Sequence, residues 1–449
     1  MPNKREPLPR TITVLFFARL INAAGNFVFP FITMLLTVKL GWSAARTGSF
    51  MSVMFLVSGV GMLAGGKFGD LWGRKRVIVA CQLGAAACFL GCVALGLSPA
   101  MPFVVAAANF LLNATWPVFN ATVADLTPAD QRKRAYALLY WGNNIGFSIG
   151  PLAAGFLFSS HPGLMFAGNA TALIIVCTLF LMWVPETLPD AAKAEEARHS
   201  AEAAEEGGLV RALLRRPILL GFALSMAVMN FVYAQHMFSL PVFLGSRLGD
   251  AGAKVFGAAM TVNGLTVVAA TGLVTWLLGR LKSLACMAVA SSLYALGFGM
   301  LVLVAAPGLG ISGPIVVYAS TVVWTLGEIA SATNANVFIA SRSPLSHRSR
   351  MNSLVTWIGN SGSMLCPVLS GAWISGRGAQ AIWPICAALG VIGAVLMLLL
   401  HSADRSAGPA DRGGVQDQAD RGGAQDQVDR GGAQDQADRG RTPAAEVAR

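Results

Sequence analysis

Long apolar stretches alternate along this chain with short polar breaks. A helix crossing hydrocarbon needs about 20 mostly apolar residues. TITVLFFARLINAAGNFVFPFITMLL, TGSFMSVMFLVSGVGMLAGG, VIVACQLGAAACFLGCVALGL, ATALIIVCTLFLMWV, VVAATGLVTWLL and IWPICAALGVIGAVLMLLL all have that character. The pattern predicts twelve helical spans, at roughly 12–38, 47–69, 76–98, 101–125, 135–158, 163–184, 216–245, 253–279, 283–306, 312–341, 350–374 and 379–401. The expected fold class is an all-α membrane protein. Lys4, Arg5 and Arg10 lead into a first span too long for a signal-peptide core, and no small-residue cleavage site follows. The first span is therefore expected to stay.

Two segments interrupt the pattern. Residues 186–215 are rich in Ala and Glu and read as a partly helical cytoplasmic linker between a first half, 1–185, and a second, 216–401. Residues 402–449 form a tail that repeats DRGGVQDQA, DRGGAQDQV and DRGGAQDQA. With no apolar anchors the tail cannot bury a core and is expected to be disordered. A calcium-binding nonapeptide roll needs a GGxGxDxUx order that this repeat lacks.

Composition agrees with a membrane protein: 55% of residues are hydrophobic and 12% charged. The net charge of +11 would suit nucleic acid, but its distribution gives it another meaning. Lys4, Arg5, Arg10, Lys67, Arg74, Lys75, Arg76, Arg132, Lys133, Arg134, Arg280, Lys282, Arg342, Arg348 and Arg350 fall in one alternate set of inter-span segments. Only Lys39, Arg46, Arg247, Lys254 and Arg377 fall in the other. Basic residues in short loops mark the cytoplasmic side, so the expected location is the plasma (inner) membrane with both termini cytoplasmic. The seven cysteines all lie in predicted spans without ligand spacing, and read as small packing residues rather than a metal or disulfide set.

The two halves share a register. Pro128 matches Pro344, an offset of 344 − 128 = 216, which also pairs Arg132 with Arg348, Arg134 with Arg350, Trp141 with Trp357, Asn144 with Asn360, Gly146 with Gly362, Pro151 with Pro367 and Gly155 with Gly371. A half repeated in the same orientation is the parallel-repeat pattern of major facilitator transporters, whose substrate site lies between the halves near the midplane. It implies two pseudo-symmetric six-helix bundles.

The loop after the second span reads Gly66-Lys67-Phe68-Gly69-Asp70-Leu71-Trp72-Gly73-Arg74-Lys75-Arg76 and resembles the signature loop of the major facilitator superfamily. The resemblance implies a cytoplasmic gate in which Asp70 faces the positive N-terminus of the eleventh helix, near Ser349, while Arg74 links it to Asp125. Otherwise the loop is an ordinary positive-inside turn. The equivalent Gly279-Arg280-Leu281-Lys282-Ser283 is degenerate, which leaves the first-half loop as the main latch. In the fifth span Gly142, Gly146, Gly150-Pro151 and Gly155 place small residues on one face. They resemble the motif of the superfamily's antiporter branches, or else serve generic helix packing.

From Arg19 to Pro30 the first span resembles multidrug-resistance-type drug:proton antiporters. Arg19, Asn22 and Asn26 share a helix face, and an Arg inside a span needs a cavity or a partner. Asn109, Asn113, Trp116 and Asn120 share a face of the fourth span; Asn109 stands where many proton antiporters carry an Arg. Glu328 is the one acid deep inside a predicted span. Burial favours the neutral form of a carboxyl, so Glu328 either binds the coupling proton or a cationic substrate, with Arg19 as a candidate partner, or is a structural acid satisfied by its neighbours. Asn143, Asn144, Asn230, Tyr233, His236, Asn263, Trp324, Trp357 and Asn360 are further lining candidates.

No HExxH or GxxxxGK[ST] motif is present, and the GxSxG string at 146–150 lies inside an apolar predicted span, which argues against an enzyme or an ATP-driven pump. The expectation is a monomeric, cofactor-free secondary transporter that exchanges protons for small, partly apolar compounds. An importer of a sugar, peptide or metabolite on the same fold, and a non-transporting receptor or scaffold, are the alternatives.

Overall fold

The structure is a computed structural model that describes residues 7–128, 130–187, 213–214, 216–305, 313–342 and 348–406. Most of the expected linker, the tail beyond Ser406 and the hairpin at Pro344 lie outside the described residues. Among the described residues the regular structure is helical: α1 (Arg10–Ala24), α2 (Val28–Met34), α3 (Ala44–Trp72), α4 (Arg74–Leu95), α5 (Met101–Asp125), α6 (Arg132–Ser160) and α7 (Pro162–Trp183), followed by α8 (Pro217–Tyr233), α9 (Ser239–Leu248), α10 (Ala251–Leu278), α11 (Ser283–Ala305), α12 (Gly313–Arg342), α13 (Arg348–Arg377) and α14 (Trp383–Ser406).

Ten helical segments are long and apolar enough to cross a membrane. The two long helices outside that set are α6 and α13, the pair that begins at Arg132 and Arg348. Asn143 and Asn144 in one, and Asn352, Ser353, Asn360, Ser361 and Ser363 in the other, lower their hydropathy. A helix this polar can cross only if protein or water covers its polar face.

Two expected spans are broken rather than continuous. α1 ends at Ala24 and α2 starts at Val28, while α8 ends at Tyr233 and α9 starts at Ser239 after a short 3-10 turn. At the first break the Val28 N–H donates to Asn169 Oδ1 at 3.3 Å, which replaces a lost helical partner. At the second, Gln235 Nε2 donates to Ser370 Oγ at 2.9 Å.

The halves use the same neighbours. α4 packs on α5 and α7, α1 on α6 and α7, and α3 on α5. In the second half α11 packs on α12 and α14, α8 on α13 and α14, and α10 on α12. Two seams join the halves, α6 with α10 and α13 with α3. A Cβ on Gly257 would lie 2.4 Å from the Pro151 carbonyl oxygen, and one on Gly48 would lie 2.0 Å from that of Pro367. Thr261 Oγ1 donates to the Ser148 carbonyl at 2.7 Å, and Ser52 Oγ to the Met364 carbonyl at 2.9 Å. These pairs keep the offset of 367 − 151 = 216 on α6 and α13, and one of 257 − 48 = 209 on α3 and α10.

The seams are shut toward the end that carries Lys39 and Asp250. There Lys39 Nζ meets Asp250 Oδ2 at 2.7 Å, and Thr33 Oγ1 donates to the Met237 carbonyl at 3.1 Å. Trp141 and Trp357 lie one to two turns farther along the same faces of α6 and α13 as Ser148 and Met364. They are 54% and 67% exposed, so the seams part toward the Asp70 end.

Candidate functional site

Within the first half a cavity of about 340 Å³ is lined by Arg19, Asn22, Ala23, Asn26, Phe29, Asn109, Leu112, Asn113, Thr115, Trp116, Asn143 and Asn169. The break after α1 builds its wall. Gly25 lies against α7, where a Cβ would fall 2.1 Å from that of Ala172. This close approach leaves Asn26 and Phe29 near Asn169. Six carboxamides and one guanidinium therefore surround the space.

Arg19 is held by ring faces. Its guanidinium carbon lies 3.9 Å from the centroid of Trp116 and 4.9 Å from that of Phe119, both on α5. Among the described residues no carboxylate is within ion-pair distance of it. The expected Arg19–Glu328 pairing is absent from this conformation, because each group is engaged in its own half. On the opposite wall Asn109 Nδ2 donates to Ser58 Oγ, tying α5 to α3, and Asn113 Nδ2 donates to the Asn109 backbone carbonyl at 2.8 Å. Asn120 is not in the wall; its carbonyl accepts the Tyr136 hydroxyl at 2.9 Å.

Glu328 lies on α12 in the second half. Asn263 Nδ2 on α10 donates to Glu328 Oε2 at 2.8 Å and to Thr325 Oγ1 at 3.0 Å. Tyr233 and Tyr294, with ring centroids 5.6 Å apart, belong to the same half. His236 and Trp324, expected as lining, are buried in an aromatic stack with their rings 5.1 Å apart. Asn360 accepts from Asn230 at 3.4 Å, and neither it nor Trp357 reaches the first-half cavity.

At the open end Arg74 Nε meets Asp125 Oδ2 at 2.8 Å, and its terminal nitrogen lies 3.7 Å from Asp70 Oδ1. Asp70 is 66% exposed; among the described residues, hydrogen bonds between α3 and α13 include Ala45 N–H to Ser375 Oγ and Ser52 Oγ to the Met364 carbonyl. Gly69 packs on Val118, whereas Gly66 has open space before it. In the fifth-span motif Gly142 lies on Phe16, Gly146 on the Leu20 carbonyl and Gly150 on that of Ala24, all across α1. Pro151 and Gly155 turn to α10.

The family model described as Major Facilitator Superfamily matches residues 15–344. The chain belongs to this superfamily. It is thus a multi-pass membrane protein from a family of transporters, not enzymes. A Na(+), Li(+), K(+)/H(+) antiporter of Planococcus maritimus is 26% identical over 57% of this chain and 65% of that protein. The multidrug resistance protein MdtH of Salmonella typhi is 29% identical over 53% of this chain and 56% of its own length. The chain spans between about half and two thirds of these curated relatives. Among solved structures, a peptide transporter, POT, in complex with sulfate matches with a TM-score of 0.70 at 16% identity, over 88% of this chain and 95% of that one. The nucleoside transporter NupG matches with a TM-score of 0.68 at 15% identity, over 88% and 99%. At such identities they show the facilitator fold.

Several residues of this facilitator's site escaped sequence reasoning. Glu186, just past α7, accepts from the backbone N–H groups of Lys75 at 3.0 Å and Arg76 at 3.3 Å. It caps α4, where free N–H groups and the helix dipole favour an anion. Gly73 has φ +98°, and a Cβ there would lie 2.6 Å from the Glu186 carboxylate. The available signal was an acid ending the sixth span on the side of Arg74, Lys75 and Arg76. Asn169 was detectable as a lone carboxamide in an apolar span, whereas Ser58 had no distinguishing pattern.

Proposed function

We propose that this facilitator is a secondary active transporter in which two pseudo-symmetric six-helix bundles rock about a midplane site. It exchanges protons for small, partly apolar compounds and moves them out of the cell. The observation that carries this reading is the pair of seams repeated at constant offsets, shut at one end and parted at the other beside a polar cavity. The basic residues concentrated at the Asp70 end support a cytoplasmic placement for it, with the described conformation open inward and both termini inside.

Glu328 serves as the coupling-proton site in this scheme. Its carboxylate accepts from Asn263 on the neighbouring α10, so a proton gained or lost there changes a contact between two helices of the second half. Asp70, Arg74 and Asp125 form the first-half side of the cytoplasmic latch, which engages the start of α13 when the inner end closes. Protein reconstituted into liposomes, with a dye panel and an imposed proton gradient, tests this function. Gradient-driven dye movement, lost when the gradient is collapsed, is expected; dye movement unaffected by that collapse refutes proton exchange. A protein that moves no solute under any gradient would be a receptor or scaffold.

A further inference from the structure

An arginine inside a membrane-spanning segment is costly unless its charge is met. Arg19 meets two ring faces and no acid among the described residues. With its carbon 3.9 Å from the Trp116 centroid, the guanidinium keeps N–H donors for another partner, and a planar fork of donors fits a carboxylate with two parallel bonds. Asn22, Asn26 and Asn143 share the cavity. Leu112 and Phe29 give the same space an apolar side. Its volume of about 340 Å³ falls at the small end of ligand pockets.

We propose that the transported compound is an organic anion, a carboxylate on a compact apolar or aromatic body, with the carboxylate on Arg19 and the body against Trp116, Phe29 and Leu112. This deepens the transport function above and rests on it. A cationic compound would bring a second positive charge beside Arg19 in a poorly screened space. The cavity therefore selects against the cations that a buried acid would favour in its place.

Binding of 2-naphthoate, its methyl ester and 2-naphthylmethylammonium to the full chain in nanodiscs, by isothermal titration, tests the assignment. Naphthoate is expected to bind at least about 10-fold tighter than either, as one charge-assisted bidentate contact provides. Arg19→Lys should retain part of that preference and Arg19→Ala should lose it, while Gly59→Leu, where no neighbour lies within 4 Å, leaves it intact. Equal or tighter binding of the ester or the ammonium overturns the proposal, and so does an absence of binding by all three. The wild-type comparison holds even if the Arg19 variants do not fold. If naphthoate binds selectively but no gradient moves it in liposomes, the anion site stands and the transport function fails. Gradient-driven movement of the ammonium alone gives the reverse result.

Discussion

In the seam between α6 and α10 the Pro151 carbonyl rests on Gly257, and in that between α13 and α3 the Pro367 carbonyl rests on Gly48. The polar groups beside these seams do not repeat in the same way. Gly146 packs on Leu20 and Gly362 on Ala227, an offset of 227 − 20 = 207 in the first and seventh spans, which sets Arg19 opposite Met226. At the offset of 216, Glu328 falls on Leu112. The duplicated part is the backbone-to-backbone seam contact, where shape alone matters. The charges are divided, a cation in one half and an acid in the other, each matched by an apolar residue in its counterpart.

Closing the seams requires the absence of a side chain, so Gly48→Leu and Gly257→Leu should have the largest effects. A Cβ at either position meets a carbonyl oxygen at 2.0 or 2.4 Å, and the whole side chain adds several kcal/mol of overpacking. Each variant should lower gradient-driven transport by about 100-fold or more, given 1.4 kcal/mol per tenfold. Gly59→Leu, where no neighbour lies within 4 Å, should transport normally. Unequal losses at Gly48 and Gly257 would show that the seams are not functional equivalents.

The division of charge is tested by Glu328→Gln. The glutamine keeps a hydrogen-bonding carbonyl for Asn263 and removes the exchangeable proton. Transport should lose its dependence on pH and fall by about 10-fold under an inward proton gradient, while counterflow exchange without a gradient persists. Full retention of the pH profile in the variant would return Glu328 to a structural role.

Much of this was legible from the chain. Ten of the helical segments follow from apolar length, and the offset of 216 was visible because proline, glycine, tryptophan and arginine recur in fixed order. The loop from Gly66 to Arg76 also placed Asp70, Arg74 and Asp125 in one cluster, of which Arg74 and Asp125 meet at 2.8 Å. The breaks at Gly25 and Ala234 were not legible, since both sides of each are apolar and the hydropathy pattern runs through them. The offset of 209 emerges only when α3 and α10 are seen against their partners. Nothing in the spacing of Arg19 and Trp116, almost 100 residues apart, announces that one ring carries the other's charge.

At the open end the halves differ again. The first has Arg74 between Asp70 and Asp125, supported by Glu186; the second has Arg342 paired with Asp404, with the Arg216 guanidinium donating to the Arg342 carbonyl at 2.8 Å. Arg74→Ala should slow transport by about 5-fold through loss of charge-assisted contacts and raise labelling of a cysteine placed at Asp70. Arg342→Ala, which unpairs a mostly buried acid, should instead lower thermal stability by about 3–5 kcal/mol with a smaller effect on transport. A transport loss from Arg342→Ala as large as that from Arg74→Ala would mean that both halves latch the gate.

The smallest effect is expected at the shut end. Lys39 and Asp250 form its cross-half ion pair at 2.7 Å, but the aspartate side chain is 45% exposed. A pair so open to water contributes about 0–1 kcal/mol, and Lys39 also lies 4.9 Å from the ring of Phe158, a contact that outlasts loss of the acid. Asp250→Asn should therefore change transport less than about 3-fold at physiological salt, with the difference vanishing at high salt as screening removes the pair. The measurement is the initial transport rate of wild type and variant across a salt series. A large, salt-independent loss would mean that this end is held by charge, and the glycine seams would then be insufficient to shut it alone.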